Sequence, residues 1–108
     1  MPLVRANVID LVSSKGDAVT LHLIATEPWA PSGEGTLLLQ AKLKAYVAYA
    51  ADGQLIRQHP EVAGKKVAIE IRSNYPLGDP ELRFVAAARE HWCVPDGITL
   101  YVSVVGPA

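Results

Sequence analysis

The chain has 108 residues, one domain by size, and half of them are hydrophobic, which excludes a disordered tail. Ten basic and eleven acidic residues give a net charge of −1, with no like-charge run beyond the pair Lys65-Lys66; an electrostatic grip on nucleic acid or anionic lipid needs clustered positive charge, so neither partner is expected. The single cysteine, Cys93, excludes an intramolecular disulfide, and with no signal-peptide pattern and an uncharged tract, Ile98–Ala108, too short to span a bilayer, a cytoplasmic location is expected.

In chain order, Asn7–Ser13 is rich in Val, Ile and Leu and predicts a first strand. Ser13-Ser14-Lys15-Gly16-Asp17 is a cluster of turn residues. Val19, Leu21, Leu23 and Ala25 then alternate with Thr20, His22, Ile24 and Thr26, the period of a half-buried strand. The two strands predict an antiparallel hairpin. Glu27–Gly35, with its prolines and glycines, predicts a loop. Thr36 is placed to cap a helix over Leu37–Ala51, made of good helix formers and stopped by Asp52-Gly53. Gln54–His59 has room for one more turn before Pro60.

Val67, Ile69 and Ile71 alternate with Ala68, Glu70 and Arg72, predicting a third strand that ends at Asn74–Gly78. Asp79-Pro80-Glu81 predicts a helix start, with Asp79 as cap and Pro80 where its missing N–H costs nothing. This helix is expected to reach about Cys93, before Pro95. Ile98, Leu100, Val102 and Val104 alternate with Thr99, Tyr101 and Ser103 as a fourth strand.

The expected fold is α+β: two layers, a four-stranded mixed sheet with two helices on one face, in the order β-β-α-β-α-β. With both helices on one face the sheet order is 1-2-3-4 and the first strand is antiparallel to the rest; a ferredoxin-like interleaved order is the rival. The expected core joins Val19, Leu21, Leu23, Val67, Ile69, Ile71, Ile98, Leu100 and Val102 to Leu39, Leu43, Tyr46 and Val85.

Four sets of residues carry a resemblance: Val8-Ile9-Asp10; Leu37-Leu38-Leu39-Gln40 with Lys42, Ala45 and Tyr46; Gly64-Lys65-Lys66-Val67; and Tyr75-Pro76-Leu77. On these the chain resembles a family of small bacterial proteins known only as a domain of unknown function. The resemblance implies no activity.

No residue pattern assigns a catalytic centre, a cofactor or a metal site. Ser32-Gly33-Glu34-Gly35-Thr36 sits where a phosphate loop would, but Leu38 stands where the third glycine of a dinucleotide fingerprint belongs, and no Gly-Lys-Ser/Thr follows. His91-x-Cys93 is the sole ligand-like spacing of histidine and cysteine, and two ligands do not make a zinc site. Cys93, in the last turn of its helix beside Trp92, reads as a small buried apolar residue. No Gly-x-Ser-x-Gly elbow occurs, and no serine has a local triad partner. His22 projects onto the polar face of its strand, where Glu70, Arg72 and Tyr101 are also expected. There a His–Glu pair would supply a general base, against an ordinary reading of cross-strand pairs on a solvated face.

The functional expectation is a non-enzymatic, self-associating interaction module. A small-ligand domain with a pocket near residues 27–35 is the alternative. A homodimer is expected through the first helix, because Leu38, Ala45 and Tyr49 form a second apolar stripe beside the one that faces the sheet.

Overall fold

A computed structural model of the chain describes residues 11–26, 28–29 and 33–105. Strand β1 (Leu11–Lys15) and strand β2 (Ala18–Ala25) form a hairpin; helix α1 (Glu34–Ala51) and a short helix α2 (Gln54–Gln58) lead to strand β3 (Lys66–Ser73). Helix α3 (Asp79–Ala88) continues through a π turn (Arg89–Cys93) and a 3-10 turn (Val94–Asp96) into strand β4 (Thr99–Val104). The sheet order is β1-β2-β3-β4; β1 is antiparallel to β2, and β2, β3 and β4 are parallel.

The mixed α+β sheet is thus as expected, but the order β-β-α-β-α-β is corrected by a third helix. Gly53 adopts φ 90°, which ends α1, and the Asp52 carboxylate accepts the Gln54 N–H at 2.9 Å and starts α2. The hairpin also turns later than expected. Gly16, with φ 61°, and Asp17 make a two-residue turn of the mirror-image kind that matches strand twist, so Ser13, Ser14 and Lys15 belong to β1. Residues 7–10 of the expected first strand lie outside the described residues.

Both long helices start earlier than their expected caps, α1 by three residues and α3 by one. Gly33 is the N-cap of α1, and Thr36, inside the helix, donates its hydroxyl to Glu81 of α3 instead. Gly78 is the N-cap of α3, with Asp79 in the first turn. Glu81, 4% exposed, accepts the Gly78 N–H at 3.0 Å through its other oxygen. One buried carboxylate therefore ties the starts of α1 and α3 together.

Alternation places Val19, Leu21, Leu23 and Ala25 of β2 and Ile69 and Ile71 of β3 on one face. They share a single buried cluster with Leu39, Leu43 and Tyr46 of α1, Leu55 of α2, Val85 and Ala88 of α3, and Leu100 of β4. Val67 and Val102 are half-buried against it. Lys42 is fully buried as well, and every buried side-chain nitrogen and oxygen among the described residues has a hydrogen-bond partner.

Candidate functional site: the outer face of the sheet

The strands that bury Leu21 and Ile69 turn their neighbours to the opposite face. His22 pairs in register with Glu70, and Glu70 with Tyr101. His22 Nδ1 lies 2.5 Å from Glu70 Oε1, and the two side chains are only 13% and 12% exposed. On its other side the ring meets Ser13, with Oγ 2.7 Å from Nε2. Ser13 pairs with Thr20 in the hairpin, so it reaches His22 diagonally, across one strand and two residues along it.

Burial works to raise the pKa of the Glu70 carboxyl. Hydrogen bonds from His22 and Ser103, then the charges of His22 and Arg72, outweigh it and hold the group below its ordinary 4.5. An ionised carboxylate accepts hydrogen bonds and cannot donate them. The imidazole must therefore present N–H from Nδ1 to Glu70. In the neutral ring Nε2 is then an acceptor, and the Ser13 hydroxyl donates to it. A hydroxyl, a base and a group that orients the base stand in line, which is the chemical order of an activated nucleophile.

The sequence pattern of DUF6572, a family of unknown function, matches residues 1–105. The chain belongs to DUF6572. No curated protein and no solved structure matches it. Of the landmarks in this DUF6572 chain, Gly64–Val67 leads into β3 and supplies its first two residues, Tyr75–Leu77 follows its end, and Val8-Ile9-Asp10 lie outside the described residues.

Of the site residues expected in this DUF6572 chain, the structure joins His22 to Glu70 directly and sets Tyr101, 38% exposed, beside Glu70 on β4. Arg72 is exposed two residues further along β3. Ser13 and Ser103 were not expected there. The expected strand ends at Ser13, where the turn cluster begins, and the two-residue Gly16-Asp17 turn sets the register that brings Ser13 to His22.

The helical surface expected to meet a second copy is largely occupied within the chain. Tyr49 is buried, and its hydroxyl donates to Gln58 Oε1 of α2 at 2.7 Å. Burial pushes this phenol above its ordinary pKa. Leu38 and Ala45 are half-buried. At the Tyr49 end of the stripe the physical reason is α2, whose Gln58 takes the Tyr49 hydroxyl.

Two cavities, about 280 and 440 Å³, flank His91 and Trp92 where α1 runs beside α3 and its π turn. The first adds Gln40 and Phe84, and the second Lys44, Val47 and Asp96. Neither lies at the expected 27–35 pocket, of which residues 27 and 30–32 are outside the described residues. Cys93, in the π turn, is fully buried, and burial foremost raises its thiol pKa. Among the described residues no three His, Cys, Asp or Glu side chains gather as for a metal ion, and no helix is long and apolar enough to cross a membrane.

Proposed function

We propose that the chain is a self-associating interaction module whose second copy adds to the edge of β4. The observation that carries this reading is the direction of the backbone groups along that strand. The Val105 N–H donates to the Ser73 carbonyl of β3 at 2.9 Å. Strand alternation then points the N–H and C=O groups of Leu100, Val102 and Val104 away from β3. The Arg89 guanidinium, whose Nε donates to the Leu100 carbonyl at 2.9 Å, approaches from that outer side.

Three outward residues spaced by two are self-complementary. An antiparallel copy centred on Val102 pairs Val102 with its equivalent and Leu100 with Val104 in the hydrogen-bonded geometry, with Arg89 swinging off the Leu100 carbonyl it now occupies. Thr99–Val105 itself contains no charge and no proline; Arg89 covers the outer edge at Leu100, and beyond it Val104 and Val105 are each 50% exposed. Pairing covers those valines.

Light scattering behind a sizing column at roughly tens of micromolar tests this, on the scale of ordinary interface affinities. A dimer mass is expected, and Val104→Lys, which guards the edge with a charge, returns a folded monomer whose Tm no longer rises with protein concentration. A monomer mass for the parent chain overturns the reading. A second reading, small-ligand binding, is favoured by the 440 Å³ cavity, where Lys44 and His91 stand beside Trp92. A metabolite screen by thermal shift tests it, since a ligand that binds only the folded state raises Tm.

A further inference from the structure

We infer that Ser13 is a nucleophilic acyl acceptor, with His22 as its general base and Glu70 positioning that base, and that the site takes small activated acyl esters. Self-association does not use these groups, so the inference stands apart from that reading. Three observations carry it. The first is distance: 2.7 Å from Ser13 Oγ to His22 Nε2 and 2.5 Å from His22 Nδ1 to Glu70 Oε1. Both fall within the hydrogen-bond reach that a nucleophile, its base and the orienting group require.

The second is exposure. His22 and Glu70 are nearly buried while Ser13 is exposed, so the base and its positioning residue are shielded and the hydroxyl faces solvent. A structural hydrogen bond has no need of that gradient; a nucleophile does. The third is rigidity. Ser13, His22 and Glu70 stand on three adjacent strands, and the Tyr46 hydroxyl donates to the His22 carbonyl at 2.9 Å from the core side. Regular strands hold such a constellation better than loops.

The step balances as follows. The Ser13 oxygen attacks the ester carbonyl carbon as its proton passes to His22 Nε2. The tetrahedral adduct collapses, the bond from carbonyl carbon to leaving oxygen breaks, and that oxygen takes the proton from Nε2. Products are the acyl-serine and the free alcohol or phenol. Water, deprotonated by the same Nε2, then releases the acid and restores the hydroxyl.

The geometry also limits the substrate class. The Asn74 N–H donates to the Ala25 carbonyl, so the odd residues of β2 point their backbone groups at β3 and the even ones at β1. Thr20 and His22 therefore bond the ladder to Ser13 and Leu11, and the Ser13 N–H is consumed there. The Val12 and Ser14 N–H groups, one residue to either side, point away from β2, and that of Ser14 is the one that follows the nucleophile in the chain. One backbone donor gives a developing oxyanion weaker support than the pair found in strong acyl-transfer sites. Aryl esters, whose leaving groups need little help, fit this site; amides do not.

The test uses the full chain, a fluorophosphonate probe and p-nitrophenyl acetate. Intact mass and peptide mapping are expected to find one adduct, on Ser13, and none in Ser13→Ala. His22→Gln is expected to slow adduct formation by roughly 10²-fold or more, the usual worth of a positioned base. Glu70→Gln is expected to lower the maximal inactivation rate while leaving the probe's half-saturating concentration unchanged, which a merely structural role would not do. Ser13→Cys gives a readout that does not rely on oxygen chemistry: iodoacetamide is expected to alkylate it faster than Ser13→Cys combined with His22→Gln. Absence of a Ser13 adduct on the folded parent, or a rate indifferent to His22→Gln, overturns the inference.

Discussion

The two faces of the sheet are built by alternate residues of the same strands and obey different rules. On the inner face Leu21, Leu23, Ile69 and Ile71 are fully buried against α1 and α3. They are held by non-directional apolar burial, worth roughly 25 cal/mol per Å². On the outer face His22, Glu70 and Ser13 are held by directed hydrogen bonds, and each bond exists only at one register. A substitution inside therefore changes how much is buried. One outside changes which groups meet. A one-residue slip of β1 would leave the inner face of β2 and β3 packed and would separate Ser13 from His22.

The largest expected effect breaks the inner face. Leu21→Ala or Ile69→Ala is expected to cost about 2–5 kcal/mol, the loss of a fully buried side chain plus the cavity it leaves. Urea unfolding monitored by far-UV circular dichroism measures it. Either variant matching the parent midpoint would place these residues on the wrong face. The outer-face neighbour Thr20 supplies the contrast, since substitutions away from the core usually stay within about 0.5 kcal/mol.

Next in size is a substitution at the end of the sheet where strands meet helix starts. Gly35 lies in the first turn of α1, and a Cβ built there would stand 2.8 Å from Trp29 Cε3. Trp29 is not free to swing aside: its indole N–H donates to Ser73 Oγ at 3.1 Å, and that hydroxyl donates on to the Tyr75 carbonyl at 2.5 Å. Gly35→Ala gains helix propensity of up to about 1 kcal/mol. Displacing an anchored indole costs more, about 1–3 kcal/mol by the usual penalty of overpacking. A net loss of stability with a shift in tryptophan emission is expected. A rise in Tm would show that the ring yields easily.

The same comparison explains what was legible in the sequence. Strict period-two alternation in Val19–Ala25 and Val67–Arg72 marked the inner face residue by residue, because burial there follows from pattern alone. The 1-2-3-4 order was conditional on both helices sharing one side, with an interleaved order as its rival, and the strand pairings of the fold decide for 1-2-3-4. The outer site was half legible: His22 and Glu70 fell on the polar face by the same alternation, but their partner Ser13 depended on whether the hairpin turned over two residues or more. Polar-looking strand residues such as Ser13-Ser14-Lys15 hide that boundary. Lys42 hid for a different reason. Its helical position borders the Leu39–Leu43–Tyr46 stripe, yet residue type argued for solvent; the turn expected at Gln54–His59 is there as α2, but its part in closing the core through Leu55 was not legible from so short a segment.

The smallest effect sharpens the comparison by titrating the outer face while leaving the inner one alone. Glu70 is held below 4.5 in the folded chain, so the fold binds fewer protons there than the unfolded chain does. The stability this contributes is present above the ordinary carboxylate value and is lost as pH falls through the lower folded value. Glu70→Gln removes the ionised acceptor that His22, Ser103 and the charge of Arg72 favour. The variant is expected to fall below the parent by about 1 kcal/mol at roughly pH 7, the difference between a hydrogen bond to a charged group and one to a neutral amide, and to converge on it as pH falls through the lowered folded value. Urea midpoints across that range measure the gap. Leu21→Ala offers the control, because apolar burial carries no proton and its deficit should stay constant over the same interval. A Glu70→Gln gap that likewise ignores pH would mean that the carboxylate charge is not what the fold stabilises, and the Nδ1–H tautomer assigned to His22 would lose its basis.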